Sequence, residues 1–169
     1  MLSSLIRKLP IFAIDEVHVE KVEDDRCWYA LCRFLEKHHD VFICLLYEKR
    51  YFDNEDVISK YRCLRRFLYP NIGLHVHIAI PPLINSVPYK EQYKVIKSGL
   101  DFLREKCEIE TRDLTCGWFS FNEDTLKVCR DLNLRLHIWH GQEWKITIPV
   151  ETKRVKKVIH DWELIGEIR

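Results

Sequence analysis

The chain has 169 residues, 47% of them apolar and 31% charged, which suits a folded domain with its own core and excludes a disordered polymer. Its 27 basic and 26 acidic side chains leave a net charge of +1, so composition gives no ground for a nucleic-acid partner. No segment reaches the roughly 18 uninterrupted apolar residues of a membrane span, and the first ten residues carry no apolar run of signal-peptide length.

In chain order, Pro10-Ile-Phe-Ala-Ile-Asp15 reads as a short strand ending on a carboxylate. Residues 25 to 38 have helical periodicity through Trp28, Leu31 and Leu35. Val41 to Leu46 is a continuous apolar run, as expected of a strand covered on both faces. A second helix carries Val57, Tyr61, Leu64 and Leu68 inward and Lys60, Arg62, Arg65 and Arg66 outward, and Pro70, Asn71 and Gly73 close it. Ile72 to Ile80 is a third strand, stopped by Pro81-Pro82. Tyr93, Ile96, Leu100, Leu103 and Cys107 mark a third helix. A short strand over Thr111 to Cys116 follows. Ser120 to Glu123 then has the spacing of a capping box opening a fourth helix. Leu134 to Trp139 reads as a fifth strand and Lys145 to Val150 as a sixth. A final helix from Thr152 would turn Val155, Val158, Ile159 and Trp162 inward and leave His160 at the surface.

This alternation implies βαβ units and a mainly parallel sheet of five to seven strands, forming either an open doubly wound sheet or a partial barrel. No linker or repeat interrupts it, so residues 1–169 read as one domain. The seven cysteines are scattered and odd in number, with no C-x-x-C pair. They read as reduced core thiols of a cytoplasmic protein.

Ionisable groups gather near strand ends. Asp15 and Glu16 end the first strand, His75 and His77 lie on the third, and His137 and His140 lie on or after the fifth. Positions i and i+2 of a strand share a face, about 6.5 Å apart. The two imidazoles of His75 and His77 can therefore turn towards one divalent metal ion, zinc first, with a carboxylate from another strand as a third ligand. The alternative is a pair of hydrogen-bonded core histidines. Trp118 and Phe119 follow the fourth strand and either wall a ligand pocket or staple the next helix.

The order Ala-Ile-Asp15-Glu16, Gly-Leu-His75-Val-His77, Gly117-Trp-Phe-Ser-Phe-Asn and Leu136-His-Ile-Trp-His140 resembles the polysaccharide deacetylase family of carbohydrate esterases, from about residue 10 to 165. The resemblance implies an irregular (β/α) barrel and a metal-dependent hydrolase that cleaves an N-acyl or amide bond, with a small-molecule or carbohydrate substrate. It implies Asp15 as base, Glu16 with His75 and His77 as metal ligands, Trp118 and Phe119 against substrate, and His140 or His137 as the late acid. Three features depart from the family pattern: the spacing of two between the histidines, Glu16 in place of an aspartate, and Thr-Cys-Gly-Trp in the groove segment. Two other readings stay open. One is an amidohydrolase-type metal hydrolase using His-x-His, and the other is a non-catalytic binding protein on a degenerate barrel.

Overall fold

The computed structural model describes residues 13–68, 71–81, 83–142 and 145–167. Among the described residues six strands pair in chain order: β1 (Ile14–Val19), β2 (Phe42–Leu46), β3 (Ile72–Val76), β4 (Asp113–Cys116), β5 (Arg135–Trp139) and β6 (Glu151–His160). The last closes back on β1, and every pairing is parallel. Helices α1 (Asp25–Leu35), α2 (Glu55–Leu68), α3 (Tyr89–Glu105) and α4 (Glu123–Asp131) follow the first four strands. The chain is a closed (β/α) barrel, not an open doubly wound sheet: of the two forms the alternation left open, it is the one that the resemblance implied.

Each strand sorts its residues by parity. Val17, Val19, Ile43, Leu45, Leu74, Val76, Leu114 and Ile138 face outward and are wholly buried. They pack with Leu31, Tyr61, Ile96, Phe102 and Leu126 of the helices. Each such side chain contributes roughly 1.5–3 kcal/mol, so the hydrophobic core is the shell between strands and helices. The alternate residues point inward, and many of them are polar, with Phe42 packed on the His137 ring among the apolar ones. Glu16, His18, Cys44, His75, Asp113, Thr115 and His137 are all buried and touch one another across the barrel.

Local chemistry sets the helix starts. The Asp24 carboxylate accepts from the Arg26 backbone N–H ahead of α1. Asn122 and Thr125 cap α4 reciprocally, so the capping box lies two residues beyond the expected Ser120–Glu123. The expected first strand begins at Ile14, and its residues 10–12 lie outside the described residues, as do Pro70 and Pro82.

Three expectations are corrected. The final helix from Thr152 is β6, and residues 145–150 are not a strand. The hydrogen bonds offered by β1 and β5 on either side outweigh the helix-like spacing of Val155, Val158 and Ile159. His160 consequently ends a barrel strand at the mouth. Lys60 is not on an outer face: it is buried, and its ammonium donates to the Val22 carbonyl and pairs with Asp25 and Asp56. The cysteines are unpaired, and Cys27, Cys44, Cys107, Cys116 and Cys129 are buried, while Cys32 and Cys63 are partly exposed.

Candidate metal centre

The C-terminal strand ends converge on one mouth, the usual place for chemistry in this architecture. Glu20 follows β1, His77 follows β3, Trp118 and Phe119 follow β4, Trp139 ends β5 and His160 ends β6. With His18, Val158 and Trp162 they line a cleft of about 620 Å³. A wider hollow of about 900 Å³ shares His77 and runs beside Tyr47, Phe52 and Lys94 towards α3.

His75 and His77 do share a face. Their Nε2 atoms are 2.9 Å apart. Glu20 Oε1 stands 3.0 Å from His75 Nε2 and 3.5 Å from His77 Nε2. Donors at 2.0–2.1 Å from a tetrahedral zinc lie roughly 3.3 Å apart, so the triangle already has the size a metal needs. Proton placement points the same way. His75 Nδ1 is 3.0 Å from the Thr115 carbonyl, which can only accept, so Nδ1 carries the proton. Burial, only partly offset by Glu20, pulls the His75 pKa down to about 4, so the ring is neutral at pH 7 and Nε2 keeps a lone pair. That lone pair faces the Glu20 carboxylate at hydrogen-bond distance, an arrangement that a cation held by both would relieve. A second nitrogen bonded to a backbone carbonyl is the usual support of a metal-binding histidine.

Backbone features hold this arrangement. A Cβ on Gly117 would overlap the His77 ring, so only glycine lets that ring reach Glu20. Trp118 and Phe119 have φ of 56° and 48°, a left-handed conformation that costs roughly 1–2 kcal/mol per residue outside glycine. The strain turns Trp118 out beside His77, with ring centroids 4.9 Å apart, and leaves it 57% exposed. Asp161 Oδ2 accepts from the Lys21 N–H at 2.8 Å and so pins the loop that carries Glu20.

Two further imidazoles face Glu20. His18 Nδ1 is 3.8 Å and His160 Nε2 3.9 Å from Glu20 Oε1. The other nitrogen of each meets a carboxylate, Glu16 Oε2 at 2.9 Å for His18 and Glu163 Oε2 at 3.2 Å for His160. Below the mouth a chain of charges runs through the barrel. Arg135 grips Asp113 with two bonds of 2.6 and 2.7 Å, Asp113 accepts from His137 Nε2 at 2.7 Å, and His137 Nδ1 donates to Glu16. Burial would lower the His137 pKa, but Asp113 and Glu16 outweigh it and raise it. Burial would likewise raise that of Glu16, but bonds from His137 and His18 pull it down to about 2.

The residues singled out in the sequence therefore separate. His75, His77, Trp118 and Phe119 meet at the mouth. Glu16 points inward to His137 and His18, and the carboxylate beside the histidine pair is Glu20. Asp15 precedes Glu16 on β1, faces out, and lies 3.6 Å from Lys156. His137 is buried in the interior chain, while His140 is exposed in the turn after β5. Glu16, His18 and Cys44 also cluster, but burial pushes the Cys44 thiol well above its ordinary range and leaves it a poor ligand. Sequence reasoning missed Glu20, His18 and His160. The signal was present: Glu16, His18 and Glu20 stand at i, i+2 and i+4, a polar face that runs along β1 and one residue past its end.

No family model matches the chain, and neither does any curated protein. Solved structures do. A family 4 carbohydrate esterase from Streptomyces lividans, in complex with acetate, superposes with a TM-score of 0.58 at 10% identity over 93% of this chain and 83% of that one. A family 4 pseudoenzyme from Bacillus anthracis gives 0.57 at 12% identity over 92% and 66%. A peptidoglycan deacetylase from Bacillus subtilis gives 0.53 at 14% over 94% and 82%. The chain thus has the barrel of the carbohydrate esterase deacetylases, the fold that the motif order resembles. Among the described residues, no helix is long and apolar enough to cross a membrane.

Proposed function

We propose that this protein is a metal-dependent hydrolase of the deacetylase kind, cleaving an N-acyl amide carried by a sugar or similar small molecule. The observation that carries the reading is the triangle of Glu20, His75 and His77, in which an imidazole lone pair confronts a carboxylate. A divalent cation held there, zinc first, would supply Lewis acidity and lower the pKa of a water to about 7. The chain's own groups handle the protons. His18 Nδ1, freed because Nε2 is committed to Glu16, takes a proton from the attacking water. The water oxygen bonds to the acyl carbon, the C–N bond breaks, and His160, entering the step with both ring nitrogens protonated and Nδ1–H held by Glu163, gives its Nε2 proton to the departing nitrogen. The products are a carboxylate and an amine. Trp118, Trp139 and Trp162 are 57%, 41% and 39% exposed around the cleft and offer flat faces to a sugar ring. In this reading Asp15 and His140 take no part, and His137 acts only by holding Glu16.

The fold does not itself entail turnover, since one structure that shares it is described as a pseudoenzyme. Protein purified without chelator is expected to contain zinc or a similar ion and to release amine from N-acetylated glucosamine oligomers. Chelator treatment should abolish that release, and so should His77→Ala with an unchanged far-UV circular dichroism spectrum. Protein that is isolated metal-free and takes up no added zinc would overturn the reading.

A further inference from the structure

His18, Glu20 and His160 form a second donor set, each offering one ligand atom within 4.8 Å of the others. It shares Glu20 with the first set and adds two imidazoles that the first does not use. Both are prepared in the same sense as His75. His18 Nε2 lies 2.9 Å from Glu16 Oε2, and an ionised carboxylate can only accept, so the proton sits on Nε2 and the lone pair on Nδ1. His160 Nδ1 lies 3.2 Å from Glu163 Oε2, so in the neutral ring the proton sits on Nδ1 and the lone pair on Nε2. These lone-pair atoms stand 3.8 and 3.9 Å from the same Glu20 oxygen, with the rings edge-on at a centroid distance of 5.4 Å. A histidine whose remote nitrogen is bonded to a carboxylate is a recurrent metal ligand. Glu163 holds His160 a second time, accepting from its backbone N–H at 2.6 Å, so this imidazole is fixed.

We propose that the mouth holds a second divalent cation on His18 and His160, with Glu20 bridging to the first. The inference rests on the hydrolase reading of Glu20, His75 and His77 and extends it. The second set is wider than the first, 3.8–3.9 Å against 3.0–3.5 Å from Glu20, so it must draw in to close on an ion and binds more weakly. Its occupation takes both imidazoles out of proton transfer. The second cation is therefore an inhibitor, and free zinc sets how much of the protein is active.

The test is zinc titration of the full chain by isothermal calorimetry, with metal content measured after gel filtration at each stage. Wild-type protein is expected to bind two equivalents, the second at least tenfold more weakly, and amine release should fall as the second binds. His160→Ala and, separately, His18→Gln should bind one equivalent, with the tighter affinity within about threefold of wild type. His77→Ala should lose the tighter equivalent. A wild-type stoichiometry of one, matched by His160→Ala, would overturn the second site and leave the hydrolase reading standing. No uptake at all would overturn both. Far-UV circular dichroism of each variant separates loss of a ligand from loss of the fold.

Discussion

Replacing His137 by leucine removes the cation that lies between two carboxylates inside the barrel. Glu16 is wholly buried and bonded to His137 and His18, and the first of these bonds goes. Its pKa falls from 4.5 to about 2 in the folded protein, and at about 1.4 kcal/mol per tenfold change in proton affinity this is worth about 3 kcal/mol at neutral pH. Because the folded value is depressed, that stability is fully present above 4.5 and is lost as pH falls through about 2. His137 is the same interaction seen from the other side. Its pKa is raised, so its contribution is complete below its unfolded value of 6.5 and fades as pH rises through the folded value. Breaking a buried ion pair at one partner typically costs about 3–5 kcal/mol. The variant should therefore lose about 3–5 kcal/mol at pH 7 in urea denaturation followed by circular dichroism. For a chain of this size that is a drop in Tm of roughly 6–20 °C. The deficit should shrink as pH is lowered towards 4, because the stranded Glu16 can then take up a proton. A deficit under about 1 kcal/mol at pH 7, or one that does not change between pH 7 and 4, would refute the assignment of His137 as an imidazolium.

Gly117→Ala drives a Cβ into the His77 ring, so zinc affinity should fall and stability should drop by about 1–3 kcal/mol, both readable by calorimetry and thermal denaturation. Unchanged zinc affinity would mean that His77 is not held by this contact. Trp118→Ala removes a half-exposed ring with little packing, so stability should move by less than about 0.5 kcal/mol. The same change should weaken binding of a sugar oligomer roughly 2- to 10-fold, the worth of one lost stacking face, as measured by intrinsic fluorescence titration. Leu45→Ala empties a fully buried position between barrel and helices and should cost about 2–5 kcal/mol in urea denaturation, with zinc stoichiometry intact.

Most of the architecture was legible because outward strand residues and inward helix residues are both apolar, and their two periods differ. The runs Val41–Leu46 and Ile72–Ile80 read as strands, the second ending at Val76 in the structure, and the stripe through Ile96 and Leu103 reads as a helix, from local pattern alone. The closing strand was not legible. Val155, Val158 and Ile159 have helix-like spacing, and what makes them a strand is pairing with β1 and β5, which are far away in sequence. The site was half legible. His75-x-His77 follows from strand geometry, but its carboxylate does not, because the tempting Asp15–Glu16 pair puts consecutive residues on opposite faces of β1. Glu20 reaches the site from just past the end of that strand, where the inward register of Glu16 and His18 continues. His160 was hidden by the misread strand that carries it.

The inward-facing charges also shape which sequences can descend from this one. Arg135, Asp113, His137, Glu16 and His18 are linked in series, each satisfying the next. A lone replacement at any interior link strands a neighbour in a medium that will not solvate it, whereas exchanging both members of a pair for apolar residues of like volume can be neutral. Drift inside this barrel should therefore proceed by coupled steps, with inner positions changing two at a time while the outer apolar shell changes one methyl group at a time.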